Sequence, residues 1–224
     1  MREIVLDTET NGLDPSDGHR IVEIACLELV NHMPSGRVFH HHVNPERDVP
    51  EEAYAIHGHS TEFLSQFSPF TAIAEAFLGF VEGARLIIHN AEFDLKFINS
   101  ELRRLGRKPL QCEYEDTLAL ARRRFPGAQA SLDALCRRFE IDLSARTKHG
   151  ALLDCELLAA VYLELIGGRQ PGLDLAAELG VDGTPVVVIR APRAARPHEP
   201  APEELIAHAA MLALLKQPIW LAGD

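Results

Sequence analysis

The chain has 224 residues, of which 46% are hydrophobic and 25% charged, a composition that suits one well-cored soluble domain with an appendage. Its formal charge of −11 argues against tight, free-standing binding to nucleic acid, because such affinity comes mainly from basic residues displacing counterions. No run approaches the roughly eighteen apolar residues of a membrane helix, and "MREIVLDTET" lacks the basic and apolar regions of a secretory signal, so a cytoplasmic protein with no membrane partner is expected.

Three β-like segments come first, at 3–8, 21–30 and 38–43, with loops carrying Gly12, Pro15, Gly18, Pro34 and Gly36 between them. Such short connections favour an antiparallel meander. A helical stretch over 70–82 follows, then an apolar strand at 85–89 and a helix from 92 to 105 with apolar residues at 93, 97, 98, 102 and 105. A strand reached by a helical crossover usually lies parallel to an earlier one. Helical patterns recur at 116–124, 131–139 and 150–166; Ser131 is a natural N-cap and Gly167-Gly168 a natural stop. The expected fold is an α/β domain over 1–168 with a mixed sheet. Cys26, Cys112, Cys136 and Cys155 are scattered without a C-x-x-C pair and read as reduced core thiols.

From 169 to 202 the chain collects Pro171, Pro185, Pro192, Pro197, Pro200 and Pro202 and reads as a linker. The remainder, 203–224, forms a tail: "PEELIAHAAMLALLKQ" is an amphipathic helix with acids in its first turn, ending near Trp220, and a short apolar helix there must dock on its own domain or on a partner.

Three short stretches carry possible chemistry. In "IVLDTET", Asp7 and Glu9 alternate with Thr8, so both acids point to one face of a strand end while Thr8 faces the core behind it. Two like charges so placed repel unless a cation sits between them, and carboxylate oxygens suit hard divalent ions. D-x-E alone is a weak signal. In "IIHNAEFDLKF", Asp94 lies in the first turn of a helix that follows a buried strand, where it could complement the helix dipole or join a ligand site at the carboxyl end of the sheet. In "TKHGALLDCELL", His149 precedes a helix and Asp154 begins it; an ordinary imidazole pKa near 6.5 makes His149 a general-base candidate. The run His40-His41-His42 alternates faces on a strand and is read as ordinary strand positions that do not converge on one ion.

Taken together, D-x-E, H-N-A-x-F-D and H-x-x-x-x-D in this order resemble the motifs of the DEDDh (DnaQ-like) 3′–5′ exonucleases. "IVLDTETNGLDP", "EEAYAIHG", "FPGAQASLDALCRRFEID" and "RTKHGALLDCELLAAVYLELIGG" extend that resemblance to the family of proofreading epsilon subunits of bacterial DNA polymerase III, over nearly all of 1–168. The resemblance implies an RNase H-like fold with a βββαβα core flanked by helices. It implies that Asp7, Glu9, Asp94 and Asp154 hold two Mg²⁺ or Mn²⁺ ions, with His149 as general base. It places Asp7, Glu9, Asp154, Glu52 and His57 against the terminal nucleotide of a single-stranded or frayed DNA 3′ end.

The same resemblance touches the appendage. Gln170, Leu173 and Leu175 are similar to a sliding-clamp peptide of the Q-x-x-L-x-F type, with Leu175 where an aromatic residue is usual. The tail is similar to a segment that docks on the polymerase catalytic subunit, and a further small accessory subunit is left open. Tethering would deliver substrate at high effective concentration and relieve the acidic domain of any need for strong intrinsic DNA affinity. The alternatives are a DEDDh ribonuclease trimming RNA 3′ ends and an inactive exonuclease-like adaptor bridging clamp and polymerase.

Overall fold

The computed structural model describes residues 1–144, 146, 148–168 and 200–215. The chain divides into two units, Met1–Asp174 and Leu175–Asp224. In the first, five strands form a mixed sheet in the order β3-β2-β1-β4-β5, with β1 (Arg2–Thr10) at its centre. Strand β1 pairs antiparallel with β2 (Ile21–Val30) and parallel with β4 (Arg85–Ile88); β2 pairs antiparallel with β3 (Met33–His42), and β4 parallel with β5 (Tyr114–Asp116).

Both faces of the central strands are covered, which is why β1 and β2 read as near-continuous apolar runs. On one face Ile4, Leu6, Ile24 and Cys26 pack against α3 (Phe70–Val81) and α4 (Ala91–Arg104) through Phe77, Phe97 and Ile98. On the other face Val5, Ala25, Leu27 and Ile87 pack against Ala151, Cys155, Leu158 and Tyr162 of α7 (Ala151–Leu165). The outer side of α7 carries Leu157, Val161 and Leu165 onto α5 (Thr117–Arg124) and α6 (Leu132–Arg138). Two shorter helices, α1 (Glu51–His57) and α2 (Thr61–Leu64), lie between β3 and α3 in the chain. Cys26, Cys136 and Cys155 are buried and all four cysteines are free, as the scattered positions suggested.

Several elements differ from the sequence reading, β3 and β5 most instructively. Strand β3 begins at Met33, five residues earlier than expected, because Asn31 and His32 both take positive φ (51° and 67°) and make a two-residue hairpin turn. Pro34 is tolerated since β3 is an edge strand, and the register shifts between Leu27 and Leu29 to accommodate the irregularity. Strand β5, three residues long, is too short to show a period and had no counterpart in the sequence reading. By contrast, Ser131 does cap α6, its Oγ accepting from the Ala134 N–H, and Gly167 and Gly168 take positive φ just beyond α7.

Within the second unit the described helix is α8 (Pro202–Leu214), with Glu203 and Glu204 in its first turn and the Ala201 N–H donating to Glu204 at 2.9 Å. Gln170, Leu173, Leu175 and Trp220 lie outside the described residues. No described helix is long and apolar enough to cross a membrane.

Candidate active site

Three chain segments meet at the carboxyl end of β1. Asp7 and Glu9 project from that strand onto its α7 face, the face that also carries Val5. Opposite them in register on β2 stand Ala25 and Glu23. Thr8 points the other way, but it does more than fill the core: its backbone N–H and its hydroxyl both donate to Asp94 Oδ1, at 3.0 and 2.7 Å. Asp94 is thereby aimed at the strand end from the first turn of α4. That helix starts sharply because Asn90 takes the left-handed conformation (φ 69°), with its N–H donating to Asp116 at 3.1 Å.

The third contributor is α7. Asp154 sits in its first turn, and Arg146 grips it with a bidentate pair, Nε to Oδ1 and a terminal nitrogen to Oδ2, each 2.6 Å. Arg146 also pairs with Asp133 of α6 and lies 2.9 Å from His149 Nδ1. His149 is half exposed and stands 3.4 Å from Asp154 Oδ2. Ligating atoms of Glu9, His149 and Asp154 all fall within 4.8 Å of one another. Asp7, His89, Asn90, Arg146, His149 and Asp154 open into a cleft of about 640 Å³.

Electrostatics mark the cluster as short of positive charge. Burial, then the charges of Asp94, Glu9 and Asp154, hold the Asp7 carboxyl well above the usual carboxylate range. Burial pushes Glu9 up to about 8, partly offset by His149, and pushes Asp94 up to about 7 against the hydrogen bonds from Thr8. Asp154 goes the other way: burial raises it, but the hydrogen bonds from His149 and Arg146 outweigh burial and lower it. His149 is raised in return, chiefly by its hydrogen bond to Asp154. The four carboxylates are an all-oxygen, hard-ligand set with one imidazole beside them, and a divalent cation would let the raised acids ionise together at neutral pH. The residues fit such ions.

The nucleotide-contact candidates fall differently. His57 ends α1, buried, and its Nδ1 accepts from the His59 N–H at 3.0 Å, while no described group pairs with its Nε2. The end of α1 is stitched to the loop that carries His149, whose N–H donates to the Ile56 carbonyl at 3.2 Å. Glu52 is exposed in the first turn of α1. Arg146 and the Thr8–Asp94 contact were not anticipated; the signal for the first was an arginine three residues before His149. The reading of the histidine run needs correction. Alternation excludes His41 alone, and His40 and His42 share a face on which their ligating atoms gather with Glu23.

A family model described as Exonuclease matches residues 4–162, more than half of the chain. It belongs to the exonuclease family. The exonuclease is 53% identical to the DNA polymerase III subunit epsilon of Rickettsia conorii over 185 residues, covering 81% of this chain and 80% of that protein. It is 49% identical to the subunit of the same name from Rickettsia felis, covering 93% and 94%, and 46% identical to that of Escherichia coli K12, covering 75% and 72%. Among solved structures, exonuclease X in complex with 5′ overhanging duplex DNA superposes with a TM-score of 0.57 at 26% identity, over 73% of this chain and 90% of that one. The nuclease domain of 3′hExo, a DEDDh family member bound to rAMP, shares the fold at a TM-score of 0.65 and 16% identity, covering 74% and 91%. The exonuclease is thus a divalent-metal-dependent 3′–5′ enzyme with an RNase H-like sheet.

Proposed function

We propose that this exonuclease removes mismatched 3′-terminal nucleotides from DNA as the proofreading subunit of a bacterial replicative polymerase. The observation that carries the reading is the convergence of Asp7, Glu9, Asp94 and Asp154 from three chain segments beside a solvent-reachable His149. In this reading the four acids hold two ions, Mg²⁺ or Mn²⁺, which when bound activate a water and stabilise the leaving 3′-oxygen. His149, half exposed at the cleft, takes the water's proton, as an imidazole can near neutral pH. Thr8 fixes Asp94 in place, and the end of α1 brings His57 to the same loop for contact with the terminal nucleotide, with Glu52 at the start of that helix. A nucleoside 5′-monophosphate leaves.

The relatives' name, that of a polymerase subunit, supports association with a polymerase; in this reading 203–224 makes that attachment, 169–202 is the linker, Gln170, Leu173 and Leu175 are a clamp-binding peptide, and the setting is cytoplasmic. The test is Mg²⁺- and Mn²⁺-dependent release of monophosphates from a mismatched DNA primer and from an RNA 3′ end, with Asp7→Ala as control. Metal-dependent release favouring the mismatched DNA, lost in the control, is expected; equal release by the control would defeat the mechanism, and preference for RNA the substrate. Deleting 169–224 should leave release from short single strands intact and abolish co-purification with polymerase.

A further inference from the structure

On the same face of the sheet, one strand over from Glu9 and opening away from it toward β3, lies a second group of ligand-type side chains that the exonuclease reaction does not use, with Glu23 as the register partner of Glu9. Glu23 is 3% exposed, an acid in the middle of an apolar strand. Three imidazoles surround it. His40 Nε2 lies 2.7 Å from its Oε1, His42 Nε2 lies 4.0 Å from the same oxygen, and His59 Nε2 lies 2.9 Å from Oε2. The ligating atoms of Glu23, His40 and His42 all fall within 4.8 Å of one another. The strand pairing makes this possible, since His42 is the direct partner of Glu23 and His40 the partner of Ala25, two residues along the same face.

We propose that Glu23, His40 and His42 form a binding site for one borderline divalent transition-metal ion of the Zn²⁺ type, separate from the catalytic carboxylates. The donor chemistry sets the metal class: two imidazole nitrogens and one carboxylate suit zinc and its neighbours, whereas magnesium prefers oxygen alone. A tetrahedral ion with metal–nitrogen bonds of about 2.0–2.1 Å needs ligand atoms about 3.3 Å apart, a value that the 2.7 and 4.0 Å separations bracket. Binding neutral imidazoles requires only that each proton sit on Nδ1 rather than Nε2. His59, hydrogen-bonded to the other carboxylate oxygen, orients Glu23 as an outer-shell partner does. Phe63 and Phe67 cover the site, with ring centroids 5.1 and 5.0 Å from that of His42, while His40 and His42 each keep between a fifth and a third of their side-chain surface open for a fourth, solvent ligand.

The catalytic acids and His149 would also take Zn²⁺, so the test starts from the full chain carrying Asp7→Ala and His149→Gln, in excess Mg²⁺. Calorimetric titration with Zn²⁺ is compared with the same chain carrying His40→Gln and His42→Gln as well, and X-ray absorption of the one-equivalent zinc complex reads the ligand type. The expected result is one bound equivalent that the double histidine change removes, a roughly tenfold weaker affinity with His59→Leu, and a spectrum with imidazole scattering. The same zinc stoichiometry and affinity in both chains, or a spectrum of oxygen ligands alone, would overturn the proposal and leave a hydrogen-bonded Glu–His cluster. With His149 already replaced, the spectrum needs no change at His40 or His42 and decides the matter even where the double variant fails to fold.

Discussion

Glu9→Gln should stabilise the metal-free exonuclease at neutral pH while destroying its activity. Glu9 is 8% exposed, makes no side-chain hydrogen bond among the described residues, and has its carboxyl pushed from an ordinary 4.5 up to about 8, mainly by burial. Because the folded protein favours the protonated form, the cost of ionising Glu9 is absent below about pH 4.5. It grows as pH rises toward about 8 and is constant above that. At pH 7.5 the window spans about three pH units, which at 1.36 kcal/mol each gives a ceiling of about 4 kcal/mol. A buried amide recovers only part of this, so a net gain of about 2 kcal/mol is expected. Urea denaturation in EDTA measures it directly: the variant's midpoint should lie above wild type at pH 7.5 and coincide with it near pH 4.5, with Mg²⁺ narrowing the gap at the higher pH by stabilising wild type more. A variant no more stable than wild type at pH 7.5 in EDTA would refute the claim that unbalanced negative charge strains the empty cluster.

Thr8→Val keeps the shape of the side chain but removes the 2.7 Å hydrogen bond to Asp94; losing about 2 kcal/mol of orientation should weaken Mg²⁺ dependence of the rate roughly 30-fold with little change in fold, read from a metal titration of activity. Arg146→Gln removes the cation that pairs with buried Asp154. The metal-free protein should lose about 3 kcal/mol in denaturant, yet bind Mg²⁺ more tightly by calorimetry because no side chain competes for the carboxylate; weaker Mg²⁺ binding would contradict the exchange. His149→Gln should cost about 10²–10⁴ in rate. Since its hydrogen bond to Asp154 raises the His149 pKa in the metal-free protein, the imidazole should titrate above 6.5 by NMR in EDTA, and Asp154→Asn should lower that midpoint.

The sequence disclosed the elements better than their partners. The acids on β1 were visible because strand alternation fixes the direction of Asp7, Thr8 and Glu9, but alternation says nothing of what waits 86 residues later, and so the contact from Thr8 to Asp94 was read as plain core packing. Helix α7 was legible from its apolar pattern and its glycine stop, whereas the return of Arg146 onto Asp154 depends on a loop path that no local period encodes. Strand β3 was cut short because its start rests on two non-glycine residues in the left-handed region, an uncommon choice. The histidine run was dismissed by a correct rule applied one residue too broadly: the outer two share a face, and their acid sits on the neighbouring strand.

The wide sequence separation of the acids also governs when the activity can arise. Helix α7 reaches back across the sheet so that the Cys155 thiol lies 3.6 Å from the Val5 carbonyl, 150 residues earlier. A contact so distant in the chain is slow to form and carries a large loop-closure cost, paid only once the intervening strands and helices are in place. A chain still being synthesised therefore has the first two acids long before it has the last, and on the proposed mechanism it cannot cut DNA until α7 has emerged and docked. Nuclease activity is in that sense a readout of the folded 1–168 domain, withheld from every chain that ends before α7.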